Sequence, residues 1–500
     1  MKVISTRNAA KSVSSADAVL AGIADDGGLF VPEYFPRIDL QKAARRGSEG
    51  YARLAAYVMS LFFDLGEEEL LHITTEAYAG YDDENIVPLR ELTGDEYVME
   101  LFHGPTLAFK DMALQVLPRL ISAALELRGG RQDVLVLTAT SGDTGKAALE
   151  GFRDVPRTAI EVFYPAEGVS ALQKLQMVTQ DGRNTDVCAV RGNFDDAQTG
   201  VKQLFMDAGF RRKVSDAGYM LSSANSINIG RLVPQVAYYV WAYVQLVASG
   251  RIEQGEKVNF CVPTGNFGNI LAAYYAHRCG LPVGRLICAS NKNNILTDFF
   301  QKGGYDTRRT FYKTMSPSMD ILVSSNLERL LFEISERDEQ AVVGWMQSLA
   351  NDGRYEIPPH ARNELRTLFY ADFCSEEETA AAIKKTFDDF GYLIDTHTAV
   401  AQCVYGKYVG DTADTGVTVV VSTANPYKFT QDVLRAVGGR DIDDAFAAAE
   451  KLEQMTGVPV PARISELKMR PVLHDQEVEV SGQAAAVYGF VERIKEWGDA

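Results

Sequence analysis

The sequence predicts an α/β protein in which mostly parallel sheets are covered by helices, with a helical N-terminal domain ahead of them. Two observations predict this. Three separate segments share one plan: VLVLTATSGDTGKAALEGF from Val134, VNFCVPTGNFGNILAAYYAHRCG from Val258 and VTVVVSTANPYKFTQDVLRAV from Val417. In each, a β-branched apolar strand ends in a turn of small and polar residues and a helix follows, the habit of parallel strands buried on both faces. Earlier in the chain, from Asp39 to about Gly80, Leu54, Tyr57, Val58 and Leu61 recur at helical spacing.

The bulk composition bounds the rest. At 500 residues the chain exceeds what one hydrophobic core organises, so two or three packed domains are expected. Hydrophobic residues make up 46% and charged residues 23%, an ordinary globular balance with no disordered tract. A net charge of -17 repels nucleic acid and anionic membranes, so an anionic small substrate needs a locally basic pocket. Six scattered cysteines form no CxxC pair and no zinc spacing, which fits a reduced cytoplasmic setting. The N-terminus lacks the apolar stretch of a signal peptide. The run Leu232 to Ala248 contains Pro234, Gln235 and Gln245 and is short for a membrane span, so it reads as a buried helix. A domain boundary is expected near Thr93-Gly94-Asp95, after Pro88 and before the apolar run Tyr97 to Phe102.

Several segments have the makings of a site. Lys110 lies in HGPTLAFKD, an apolar and small stretch opening a helical run from Met112 to Arg128 that Pro118 either kinks or divides. In such surroundings desolvation leaves a lysine amine able to form a Schiff base, although a surface lysine paired with Asp111 would read the same. The segment Ser141 to Lys146, SGDTGK, has Thr140 and Ala147 where a nucleotide P-loop requires glycine and a hydroxyl residue, so that reading fails. What remains there is an Asp-Gly turn with Thr144 capping a helix. Ser222 to Asn228 gathers hydroxyl and amide groups beside Arg231, suited to a phosphate or carboxylate, or equally to a capped helix start with Arg231 on the surface. The turn Thr264-Gly265-Asn266-Phe267-Gly268-Asn269 is the clearest anion site: glycines permit close backbone approach, and successive N–H groups open a helix. His397 in Asp395-Thr396-His397-Thr398 is given no chemistry, since a lone histidine is more often structural, and Asp25 to Gly28 reads as a turn.

Together these segments resemble the threonine synthase family of fold type II pyridoxal-phosphate-dependent enzymes, the tryptophan synthase beta-like fold. The resemblance runs through Ile4-Ser5-Thr6-Arg7, Asp26 to Pro32, HGPTLAFKD, SGDTG, the SSANS segment with Arg231, PTGNFGN, Asp395 to Ala399, STANPYKF, and Leu467 to Pro471. It implies an N-terminal domain over 1–93, a catalytic region over 94–440 whose smaller subdomain covers roughly 110–230, and a C-terminal extension over 441–500. It implies that Lys110 carries pyridoxal 5'-phosphate as a Schiff base, that Gly265, Asn266, Phe267, Gly268 and Asn269 bind its phosphate, and that Thr423 faces its pyridine nitrogen. Asp143 falls where most fold type II enzymes place an asparagine near the phenolic oxygen. Asn225, Ser226 and Arg231 match positions holding the substrate phosphate, with Thr140 and Ser141 near the substrate carboxylate or phosphate. The implied reaction converts O-phospho-L-homoserine and water to L-threonine and phosphate. Its rivals are a phospho-lyase giving 2-oxobutyrate and a non-catalytic phosphometabolite-binding relative. The implied partner is that small molecule, without nucleic acid, membrane or metal, in a monomer or homodimer.

Overall fold

The computed structural model describes residues 1–140, 142–167 and 169–498. The chain opens with strands β1 (Lys2–Ser5), β2 (Asn8–Ser14) and β3 (Phe30–Pro32), which form an antiparallel sheet in the order β2-β1-β3. Helices Leu40–Ser48, Tyr51–Ser60 and Glu67–Tyr78 follow, in agreement with the periodicity read from Asp39 onward. The small sheet is an addition to the helical expectation for this region. Its outer strands are too short, or too exposed, to carry a periodic apolar signal.

In chain order the remaining strands are β4 (Leu89–Glu91), β5 (Glu96–Glu100), β6 (Asp133–Ala139), β7 (Thr158–Pro165), β8 (Thr185–Val190), β9 (Tyr219–Ser222), β10 (Val258–Pro263), β11 (Val283–Ser290), β12 (Gly304–Asp306), β13 (Arg354–Glu356), β14 (Phe369–Phe373), β15 (Thr418–Ser422) and β16 (Glu477–Val478). One sheet has the order β14-β11-β10-β15-β5-β4 and is parallel except for the β4/β5 hairpin. The other, β16-β8-β7-β6-β9, is parallel throughout. The predicted α/β class with mostly parallel sheets is therefore the observed one. The three strand-turn-helix segments divide between the sheets: β6 belongs to the smaller, whereas β10 and β15 are neighbours in the larger. The turn at Thr93 to Asp95, expected at a domain boundary, joins β4 to β5 inside the larger sheet.

Helix Ile229–Ala248 runs through the interior, with Tyr238, Tyr239, Trp241 and Tyr243 buried, as its apolar run required. Among the described residues no helix is long and apolar enough to cross a membrane. The helical run after Lys110 is two helices, Asp111–Leu114 and Leu117–Arg128. Pro118 sits in the first turn of the second, where its missing N–H leaves no helical bond unmade. At the C-terminus, β16 extends the smaller sheet beside β8, and helix Gln483–Gly498 buries Val487 and Phe490 in a cluster with Leu135, Phe163 and Cys188.

Candidate active site

Lys110 is held at the carboxyl ends of the larger sheet's strands, where open parallel sheets expose their ligand crevices. The bend carrying it is pinned to the end of β15: Phe109 N–H donates to Thr423 O at 2.8 Å and Asn425 N–H to Leu107 O at 3.0 Å. This clamp brings Lys110 beside Thr423. Leu107 has φ 61°, and Gly104 packs so closely on Asp111 that a Cβ there would lie 2.5 Å from its carboxylate. Asp111 does not pair with Lys110. Its carboxylate accepts from Thr106 N–H at 2.7 Å and from the Thr106 hydroxyl at 2.6 Å. Buried there, it has its pKa pushed up to about 6.

The Lys110 amine is the centre of a charged cluster. Its Nζ donates to Ser318 Oγ at 3.3 Å and lies 3.7 Å from Asp143 Oδ2. Burial lowers its pKa; Asp143 opposes this, while Lys428 and Arg231 reinforce it. Asp143, at the start of helix Asp143–Phe152, also meets Lys428 Nζ at 3.0 Å and accepts from Gln173 Nε2 at 3.1 Å. Burial alone would raise its pKa, but the two ammonium groups hold it well below the usual carboxylate range. Lys428 is fixed in turn by donating to Thr106 O at 2.8 Å. Lys428 stands in the STANPYKF segment, but the spacing of that segment alone assigns it no partner. Its signal was a lysine in an otherwise apolar turn after a strand.

The turn from Thr264 to Asn269 caps the amino end of helix Gly268–Arg278, with Phe267 at φ 65° as its N-cap. No side chain closes that cap, so the helix N–H groups stay open to a ligand. Tyr238 and Tyr239 both donate hydroxyls to Asn269 Oδ1. Asn269 Nδ2 is buried and has no partner. Gly265 faces the turn carrying Ser318: a Cβ there would sit 2.9 Å from Ser318 O and 3.2 Å from Met319 Cα. Asn266 O accepts from the Asn326 backbone at 3.1 Å and its side-chain amide at 3.0 Å.

A second group of polar residues is gathered around Arg231. Asn228, not Ser222 or Ser223, caps helix Ile229–Ala248, and Arg231 in its first turn is buried, not on the surface. Its Nη1 donates to Ala224 O at 2.6 Å, but its Nε is buried without a partner. Among the described residues no carboxylate pairs with it, and burial draws its pKa down to about 10. Asn225 is exposed and Ser226 half-buried at the rim. Asn326 connects the two segments, since its Nδ2 also donates to Ser226 Oγ at 3.2 Å.

Thr140 is buried, and its hydroxyl braces its own loop, accepting from Gly142 N–H at 3.1 Å and Gly145 N–H at 3.0 Å. Thr140 therefore does the work expected of Thr144 in this turn. Ser141 lies outside the described residues. His397 supports the site at one remove: Nε2 accepts from Ser318 N–H at 3.1 Å and Nδ1 is 3.0 Å from Asp395 Oδ1. Ser318, Asn326 and Lys428 are the members that sequence reading missed.

These residues fit pyridoxal phosphate. Two buried donors without partners, Asn269 Nδ2 and Arg231 Nε, call for acceptors, and the partly buried Lys110 amine, its pKa lowered by burial, feels the Arg231 charge. Leaving buried donors unmatched costs about 1–3 kcal/mol each, so such groups are retained where a ligand completes them.

Residues 2–78 match the family model described as the threonine synthase N terminus, and residues 83–368 match that of the pyridoxal-phosphate dependent enzymes. Threonine synthase of Pseudomonas aeruginosa is 41% identical over 87% of this chain and 90% of its own length. Human threonine synthase-like 1 is 39% identical over 87% of this chain, which spans only 59% of that relative. The structure of PLP-bound threonine synthase from Brucella melitensis is similar at a TM-score of 0.87 and 36% identity, over 99% of both chains. The chain belongs to the threonine synthase family of pyridoxal-phosphate-dependent enzymes.

Proposed function

We propose that this protein converts O-phospho-L-homoserine and water to L-threonine and phosphate, with pyridoxal 5'-phosphate bound at Lys110. The observation that carries this reading is Arg231, a buried guanidinium with an unpartnered Nε, close enough to Lys110 to lower its pKa. The turn from Gly265 to Asn269 accounts for one phosphate, that of the cofactor. A second buried cation without a carboxylate favours a substrate that brings a phosphate of its own.

Bound pyridoxal phosphate supplies an electron sink for charge developing on the substrate. Lys110, its amine favoured by burial, takes and returns the protons at the substrate's Cα and Cβ. Arg231, with Asn225 and Ser226 at the rim, holds the phosphate on Cγ and stabilises the charge it gains as the C–O bond breaks. Water then adds at Cβ. Asp143, paired with the Lys428 ammonium at 3.0 Å, would lie near the cofactor's phenolic oxygen. Thr423 would offer the pyridine nitrogen a neutral hydroxyl, which favours a protonated ring less than a carboxylate would.

The test is product analysis with O-phospho-L-homoserine and the cofactor-loaded protein. Threonine and phosphate in equal amounts support the reading. 2-Oxobutyrate and ammonia as main products would make it a phospho-lyase, and no turnover would make it a non-catalytic binder.

A further inference from the structure

Outside this site, one pair of thiols stands apart from the rest. Cys374 follows β14 and Cys403 lies in helix Thr396–Thr412. Their Sγ atoms and a carboxylate oxygen of Glu378 all lie within 4.8 Å of one another. Cys374 is fully buried and accepts from the Thr379 hydroxyl at 3.3 Å, whereas Cys403 is half-buried and reachable. Lys407, one turn along the helix from Cys403, meets Glu378 at 2.9 Å and donates to Phe373 O at 2.8 Å.

We propose that Cys374 and Cys403 form a reversible disulfide, a modification site whose oxidant is a low-molecular-weight disulfide. The arrangement supplies what thiol exchange needs: an accessible attacking sulfur, a cation nearby to favour its thiolate, and a second sulfur within reach. Supporting this, the Cys374 thiol and then Lys407 lower the pKa of Cys403, whereas burial pushes the thiols of Cys188, Cys261, Cys279 and Cys288 up. A metal site is disfavoured, because the Lys407 ammonium already occupies the Glu378 carboxylate and would oppose a dication.

The step balances. Cys403 releases its proton to solvent, and its thiolate attacks one sulfur of R–S–S–R, breaking that bond and releasing one thiolate, RS⁻. Cys374 loses its proton and attacks the Cys403 sulfur, expelling the second RS⁻. Two electrons pass from the protein sulfurs to the reagent, and the two protons end on two RSH. The cross-link would join two supports of the turn over Lys110, for Glu376 accepts from Met315 N–H at 2.8 Å and His397 from Ser318 N–H.

The full chain, loaded with pyridoxal phosphate, is treated with oxidised glutathione, then unfolded for thiol counting and peptide mapping. The expected titre falls from the six free thiols to four, with a peptide joining Cys374 to Cys403 and full recovery on reduction. In Cys374→Ser the glutathione is expected to remain on Cys403 as a stable adduct. A wild-type protein that keeps six thiols, or ends as a glutathione adduct with Cys374 free, would overturn the proposal. So would stoichiometric zinc in the purified protein that protects both thiols until it is chelated.

Discussion

Replacing Arg231 by Met should move activity and stability in opposite directions. Burial has drawn the pKa of this guanidinium down to about 10, which at about 1.4 kcal/mol per tenfold strains the charged form by about 3 kcal/mol. Among the described residues the one side-chain bond the substitution removes in the ligand-free protein is the donation to Ala224 O, worth about 1 kcal/mol. Arg231→Met should therefore stabilise the ligand-free protein by about 2 kcal/mol, a rise in melting temperature of about 2 °C for a chain of this size. With a phosphorylated substrate, two charge-assisted bonds are lost together, about 3–4 kcal/mol, so kcat/KM should fall several hundredfold or more. Calorimetry of the ligand-free variant and steady-state phosphate release measure the two effects, and cofactor titration provides the control. A variant that loses stability and cofactor affinity together would show that Arg231 is structural and holds no substrate phosphate.

Three further outcomes are expected. Lys110→Ala should abolish the near-visible absorbance of the cofactor-loaded protein and its turnover while leaving the fold intact by circular dichroism. Asp143→Asn leaves Lys110 and Lys428 facing each other without their shared carboxylate, so the cofactor-free protein should lose about 3 kcal/mol of stability in urea titration, and adding Lys428→Met should restore part of it. His103 lies 2.7 Å from both Asp82 and Glu100; burial alone would lower its pKa, but these carboxylates raise it to about 9. Because the folded value exceeds the unfolded one, the stabilisation is complete below about pH 6.5 and is lost as pH rises through about 9, a change of about 2–3 kcal/mol. A pH series of melting temperatures should show this decline in the wild type and not in His103→Gln.

The parts legible in the sequence were those written in local pattern. The strand-turn-helix segments at Val134, Val258 and Val417 announced their elements because apolar runs and glycine turns are short-range signals. The turn at Gly265 to Asn269, opening a helix, was legible for the same reason. Which strands share a sheet was not: β6 and β10 read alike but lie in different sheets, a matter of long-range pairing. Lys428, Ser318 and Asn326 reach the site only because β15, the 316–320 turn and the 324–326 turn converge on Lys110 and Gly265 in space. No spacing along the chain records that convergence. Arg231 was visible as a residue but not as a problem. Its significance lies in being buried without a carboxylate, which only packing reveals.

The most direct test of the central claim is turnover of O-phospho-L-homoserine in water enriched with heavy oxygen, with every product analysed by mass. Elimination at Cγ followed by addition of water at Cβ predicts threonine carrying the label in its hydroxyl group and phosphate released without it. Labelled phosphate with homoserine would mean cleavage at phosphorus, and 2-oxobutyrate in place of threonine would mean that water does not add at Cβ; either result contradicts the account.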